Sequence, residues 1–241
     1  MFGLFKKGKH QRTYITDIHS HLLPGLDDGV KSMEESLEIL TYFIELGTSR
    51  LYTTPHIMND LYPNKEAHIL SVANNLRKEI TSKGLAIEVN VAAEYYLDEI
   101  LLDRMDNDDN QLLTFGDNYL LFETSFFNLP FYLNEFIFKA KSQGYQPVLA
   151  HPERYAYIQD SYTLVEDIVQ RGVLLQINTI SLAGFYSKPV KKLAERLVND
   201  GMVHFLGSDC HNINQFNALN EALKSKCYQK ALDLPLKNYS L

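Results

Sequence analysis

Asp17-Ile-His19-Ser-His21, Thr54-Pro-His56, Ala150-His151-Pro-Glu-Arg154 and Ser208-Asp209-Cys-His211 hold five of the chain's eight histidines. Each string follows an apolar run with strand character. Histidines at strand ends with carboxylates beside them make poor core filler and good metal ligands. In an extended segment residues i and i+2 face the same side, so His19 with His21, and Asp209 with His211, can each address one cation. Imidazole mixed with carboxylate suits zinc, manganese or iron rather than calcium. Carboxylates can also bridge two cations about 3.5–4 Å apart, the spacing of two-metal hydrolases. A lone His-x-His pair is common; the weight lies in all the strings falling at strand ends.

Outward from these strings the pattern alternates strand and helix. Apolar runs at 13–18, 50–54, 86–93, 119–122, 147–150, 173–178 and 203–207 read as strands. Ser32-Met-Glu-Glu35 is a capping box opening a helix with the apolar face Met33, Leu37, Leu40 and Ile44, closed by Gly47. Further helices are expected at 67–83, 133–143, 162–171, 189–200 and 214–231, with a polar loop at 106–111. There is no repeat, linker or low-complexity segment, so residues 1–241 read as one domain with a flexible tip at 1–12.

Seven strand-helix units in series predict a mainly parallel α/β sheet. His19 and His21 follow the first strand, His56 the second, Glu94 the third, Glu123 the fourth, His151 the fifth, and Asp209 and His211 the seventh. Side chains from six strand ends converge on one centre only if the sheet curls around it. Barrel enzymes place their chemistry on that C-terminal rim. The expected architecture is therefore a distorted seven-stranded (β/α)7 barrel.

Composition narrows the function. A formal charge of −7 speaks against nonspecific nucleic-acid binding. Two cysteines are too few for a disulfide scaffold and suit a reducing cytoplasm. No run reaches the roughly 20 apolar residues of a membrane span. Phe2, Leu4 and Phe5 beside Lys6, Lys7 and Lys9 form a basic-aromatic tip without the long apolar stretch of a secretory signal. A cysteine phosphatase needs arginine six residues past its nucleophile; Phe216 and Asp233 stand there, so that route is excluded. Cys210 reads as a small core residue, Asp106-Asn-Asp108 as a solvated turn, and His10, His68 and His204 as structural or surface groups. Tyr95, Tyr96 and Tyr155 are the rim tyrosines expected near a bound ring.

Read with their neighbours, the strings resemble a known family. Asp17-Ile-His19-Ser-His21-Leu-Leu-Pro-Gly-Leu-Asp27-Asp28-Gly29 is similar to the opening motif of the polymerase and histidinol phosphatase (PHP) superfamily. In detail it is most similar to the bacterial PHP-type protein tyrosine phosphatases linked to capsule and exopolysaccharide synthesis. Thr54-Pro-His56, Ala93-Glu94-Tyr-Tyr, Leu121-Phe-Glu123, Ala150-His151-Pro-Glu-Arg154-Tyr and Gly207-Ser-Asp209-Cys-His211-Asn follow in order, so the resemblance spans about 13–212.

The resemblance implies a PHP-type barrel holding three divalent metal ions, manganese first, with iron or zinc as alternatives. By position, His19, His21, Glu123 and Asp209 would form one metal site. Glu94, Glu123 and His151 would form a second, with Glu123 bridging, and Asp28, His56 and His211 a third. Arg154 matches the arginine that binds substrate phosphate. Asp17 has no ligand role in the match and is read as orienting a ligand histidine. Some relatives carry a second phosphate-binding arginine past the last histidine, where Asn212-Ile-Asn-Gln-Phe216 offers none. Ile57-Met-Asn-Asp60 likewise replaces a more basic loop after His56.

The implied function is metal-dependent hydrolysis of phosphotyrosine in protein by a cytoplasmic enzyme, the partner being a bacterial tyrosine kinase that controls polysaccharide export. A small-molecule phosphatase such as histidinol-phosphatase is the enzyme alternative; the Leu-Pro-Gly-x-Asp-Asp-Gly continuation favours the tyrosine branch. A non-catalytic, metal-containing binding module is the alternative from another class. Oligomeric state stays open, a homo-oligomer included.

Overall fold

Short apolar runs between amphipathic helices fold into a parallel α/β half-barrel. The computed structural model describes residues 15–106 and 112–241. The basic-aromatic tip and all but the first residue of Asp106-Asn-Asp108 lie outside the described residues. The strands are β1 (Arg50–Thr53), β2 (His56–Ile57), β3 (Glu88–Val91), β4 (Glu94–Tyr96), β5 (Tyr119–Glu123), β6 (Gln146–Ala150), β7 (Leu174–Asn178) and β8 (Phe205–Gly207). β1 pairs with β3, and the other six form one sheet in the order β2-β4-β5-β6-β7-β8, parallel throughout.

Eight strands among the described residues replace the seven expected, for a local reason. Pro55, which has no N–H to give a ladder, separates β1 from β2. Ala92 and Ala93 separate β3 from β4 at the same height, although Ala92 N still donates to Thr53 O (3.0 Å) and Glu94 N to Pro55 O (3.2 Å).

The first expected strand, 13–18, is not a regular strand in its described part. Asp17 and Ser20 instead make isolated parallel bridges to Leu51 and Cys210. Tyr52 N donates to Asp17 O (2.8 Å) and Thr54 N to Ser20 O (2.7 Å), while His21 N donates to Cys210 O (2.9 Å). The segment thus lies between β1 and the end of β8. Beside these bridges the Asp17 carboxylate accepts from Ser208 N at 2.8 Å, a side-chain bond in place of a backbone ladder bond.

The helices are α1 (Met33–Glu45), α2 (Glu66–Ser82), α3 (Glu99–Asp106), α4 (Leu133–Ser142), α5 (Ala156–Asp160), α6 (Tyr162–Gln170), α7 (Lys188–Asn199), α8 (Ile213–Leu223) and α9 (Lys226–Ala231). Ser32 caps α1 by accepting from Glu35 N. The expected last helix, 214–231, is instead two, because Ser225 starts a new cap by accepting from Tyr228 N. No helix of the described residues is long and apolar enough to cross a membrane.

The sheet's two faces do different work. Leu120, Phe122, Leu149, Leu175, Ile177 and Leu206 pack in the large core with helix residues such as Leu40, Phe43, Leu76 and Phe136. The alternate residues Tyr119, Leu121, Val148, Ala150 and Phe205 form a second, inner cluster. Along β7 the inner face passes from Leu174 to Gln176 to Asn178, and along β5 from Tyr119 to Leu121 to Glu123. The interior is therefore apolar at the strands' beginnings and polar at their C-terminal ends.

Below the sheet, Asn238 fastens the region between the first segment and β8. Its Nδ2 donates to Thr16 O and Leu206 O, each at 2.8 Å, and its Oδ1 accepts from Leu206 N at 3.0 Å. Asn238→Ala should lower the unfolding free energy by roughly 2–4 kcal/mol, because it leaves buried backbone groups unpaired. Urea denaturation of the two proteins measures this.

Candidate metal centre

Strand ends deliver the nominated side chains to one place. Glu94 opens β4 in register with His56 on β2. Its Oε2 lies 3.1 Å from His19 Nε2, 3.3 Å from His21 Nε2 and 3.2 Å from His56 Nδ1, and its Oε1 lies 2.9 Å from His151 Nε2. One fully buried carboxylate therefore touches four imidazoles. Asp209 Oδ1 is 3.3 Å from His19 Nε2 and 3.5 Å from His21 Nε2. Asp28 Oδ1 is 3.5 Å from both His56 Nε2 and His211 Nε2. Glu123 Oε1 is 3.0 Å from His56 Nδ1, and its Oε2 is 3.9 Å from His151 Nε2.

The donors fit cations. His21, Asp28, His56 and His211 form one group whose ligand atoms lie within 4.8 Å of one another. His19, His21 and Glu94 form another, as do His19, His151 and Asp209, and His56, Glu94 and Glu123. All nine nominated ligands fall in these groups. Bonds of about 2.0–2.2 Å to one cation place neighbouring ligand atoms roughly 3 Å apart, the spacing seen here. His56 Nδ1 and Glu123 Oε1 are buried at 3.0 Å from each other yet share no hydrogen bond. Buried polar atoms are normally satisfied, and a cation between these two would satisfy both.

Electrostatics point the same way. Burial alone would push His19 down, but Glu94 and Asp209 carry it up to about 9. His21 is raised well above its usual value, burial again opposing and Asp27 prevailing. The imidazoles in turn hold Glu94 and Asp209 well below the carboxylate range despite their burial. The buried carboxylates thus favour positive charge at this centre, and protons compete with cations for the same imidazole nitrogens.

Supporting groups aim the ligands. Gln176 Oε1 accepts from His19 Nδ1 at 2.8 Å, leaving Nε2 to face the centre. Asp27 Oδ2 pairs with His21 Nδ1 at 2.8 Å and accepts from His56 N at 3.0 Å. His211 Nδ1 donates to the carbonyl of Asp209 at 2.8 Å. Asp209 Oδ2 accepts from Asn178 Nδ2 (2.6 Å), Tyr186 OH (3.1 Å) and Arg154 Nη1 (3.1 Å), so Oδ1 is the atom left for the imidazoles. Gly207 is required beside this cluster, since a Cβ there would sit 2.7 Å from His19 Cβ. Asp209 and His151 hold φ of 53° and 34°, left-handed values that cost energy for non-glycine residues and recur at functional sites.

Two of the three expected rim tyrosines are corrected to core residues, while Asp17 acts on a ligand histidine through its backbone. Asp17 touches no imidazole: its carboxylate accepts from the backbone N–H of Ser208 and His19 and from the Ser208 hydroxyl. It positions the two ligand-bearing backbones, and burial pushes its carboxyl up to about 6. Tyr95 and Tyr155 are fully buried, their hydroxyls accepting from Leu113 N and Thr124 N. Tyr96 does line the cleft above the centre, about 520 Å³ in volume, together with Tyr62, Tyr186 and Arg154. The Arg154 guanidinium sits between the rings of Phe126 (4.6 Å) and Tyr186 (4.3 Å). Cys210 is buried with its thiol toward Asn212 O, and burial pushes its pKa up, as an inert core residue requires. His204 accepts from Leu175 N away from the centre, and His68 is exposed on α2.

Asp27, Gln176, Asn178 and Tyr186 were not anticipated. Asp27 sits in the opening motif beside Asp28, and Gln176 and Asn178 are alternate polar positions in an apolar strand, a visible signal. Tyr186 had none. Gln176→Leu should weaken metal affinity about 10–100-fold while the far-ultraviolet circular dichroism stays unchanged. Titration of the stripped proteins with manganese measures it.

Residues 15–230 match the family described as capsular polysaccharide synthesis, CpsB/CapC. The tyrosine-protein phosphatase YwqE of Bacillus subtilis is 33% identical over 203 residues, covering 83% of this chain and 79% of that protein. The putative tyrosine-protein phosphatase CapC of Staphylococcus aureus is 29% identical over 231 residues, covering 94% and 90%. A crystal structure from work on YwqE and Streptococcus pneumoniae CpsB, described as unique metal-dependent tyrosine phosphatases, superposes with a TM-score of 0.81 at 30% identity, covering 91% of each chain. An inactive dihydroorotase-like domain from Chaetomium thermophilum shares the fold alone, with a TM-score of 0.52 at 11% identity over 94% of this chain and 79% of that one. By the extent of these matches, the chain belongs to the CpsB/CapC capsular polysaccharide synthesis family.

Proposed function

We propose that this protein removes phosphate from phosphotyrosine in protein, in a reaction that depends on divalent metal ions. The observation that carries the reading is the convergence of nine candidate ligands on one centre, six of which line the open cleft above it together with Arg154. Its relatives' names supply the substrate class.

The centre is read as taking three cations, manganese first, with iron or zinc as alternatives. His21, Asp28, His56 and His211 would hold one of them. The remaining ligands, His19, Glu94, Glu123, His151 and Asp209, would hold the other two. Glu94 is assigned the shared position rather than Glu123, because its two oxygens reach imidazoles on both sides. When bound, such ions lower the pKa of water toward neutrality and neutralise phosphoryl oxygens.

The chain's own groups do the rest. Arg154 faces the cleft with a guanidinium fixed between two aromatic rings, ready to pair with phosphate oxygens. Asn178 and Tyr186 keep Asp209 turned toward His19. Tyr62 and Tyr96 give the walls the apolar surface a phenyl ring needs. The leaving phenol has a pKa near 10, so it departs with less help from an acid than an alkoxide would need. The ring of strands is read as seven, with 17–21 as the closing strand and the β1–β2 and β3–β4 pairs each as one interrupted strand. The partner assigned is a bacterial tyrosine kinase controlling polysaccharide export, met in the cytoplasm; the capsule-synthesis family supports that choice.

Chelator-stripped protein should release no phosphate from a phosphotyrosyl peptide, and manganese should restore release. Metal-loaded protein silent on that peptide but active on histidinol phosphate would overturn the substrate class. His151→Ala should lose bound metal and nearly all turnover. Arg154→Ala should keep its metal, counted by elemental analysis, and lose about 10²–10³-fold in kcat/KM.

A further inference from the structure

Three neighbouring strand ends line one stretch of the cleft's rim with apolar side chains. Leu61 and Tyr62 follow β2, Tyr96 ends β4 and Phe127 follows β5; these strands are adjacent in the sheet. Leu61 and Phe127 are 67% and 79% exposed, although both line the cleft. Tyr62 is braced against His56, the rings 5.4 Å apart with planes 13° from parallel. The one Lys or Arg side chain among the cleft's lining residues is Arg154, which pairs with Asp209. The rim therefore offers apolar contact rather than positive charge to anything crossing it.

A phosphotyrosine whose phosphate reaches the ligands brings its neighbouring residues to this rim. An apolar side chain there would cover Leu61 and Phe127 and lose water favourably. An acidic side chain would lose water without gaining a partner. We propose that Leu61 and Phe127 form a specificity lip that selects substrates with an apolar or aromatic residue within two positions of the phosphotyrosine. This rests on the phosphotyrosine reading above and adds the sequence context of its substrate.

The test uses phosphotyrosyl peptides identical except for leucine, serine or glutamate at the positions flanking the phosphotyrosine. Manganese-loaded wild type, Leu61→Ser, Phe127→Ser and the double variant are compared. Each kcat/KM is divided by that for phenyl phosphate, which has no flanking chain and so corrects for catalytic damage. Wild type should favour the leucine peptide over the glutamate peptide by about tenfold, chiefly in KM, in line with the modest discrimination apolar contacts give. The double variant should bring that preference close to one. Equal use of the peptides by wild type, or a preference that survives the double variant, overturns the lip while leaving the phosphatase reading intact. Release from phenyl phosphate with none from any peptide overturns both.

Discussion

A carboxylate buried to 0% exposure is expensive unless opposite charge surrounds it, and Glu94 occupies that position here. Its surroundings are the imidazoles of His19, His21, His56 and His151, drawn from three other places in the chain. Satisfying one buried charge thus forces separate strand ends to meet at one height. Much of the architecture serves that meeting. Helices cover the outer face of the sheet, and an apolar inner cluster supports the strands from below. The polar residues are left to the C-terminal rim, where barrel chemistry is usually found.

The supporting groups show how little freedom the centre has. Asp209 offers one oxygen to the imidazoles because the other is taken by three donors. Gln176 joins two parts of this network, accepting from His19 and donating to Asn178 at 2.9 Å. Such interlocked hydrogen bonds hold ligands in one geometry, which favours binding a cation without first reordering side chains.

Much of this was legible in the sequence because the ligands advertise themselves. Histidine and carboxylate at strand ends are chemically conspicuous, and the i, i+2 spacing of His19 with His21 says which way they face. What escaped was contextual. Strand pairing resumes beyond Pro55 as the short β2, and Asp17 reaches its ligand histidine through backbone N–H rather than the imidazole. Tyr95 lies next to Glu94 yet points into the core, since neighbours along a strand face opposite sides, and Tyr155 is carried into the core by the tight turn at Pro152–Arg154. Tyr186 reaches Asp209 from after β7 through a fold-dependent turn that no local pattern announces.

The first segment and the end of β8 meet through the isolated Ser20–Cys210 bridge and are held by Asn238 from below. The ligand groups straddle that junction, His19 on one side and Asp209 on the other. A nascent chain emerging from the ribosome therefore displays the opening histidines almost two hundred residues before their last partners exist. Assembly of the ligand groups becomes a late event in biosynthesis, coupled to the docking of the first segment against the end of β8. An unfinished or C-terminally clipped polypeptide would hold the beginnings of a centre and lack the groups that complete it.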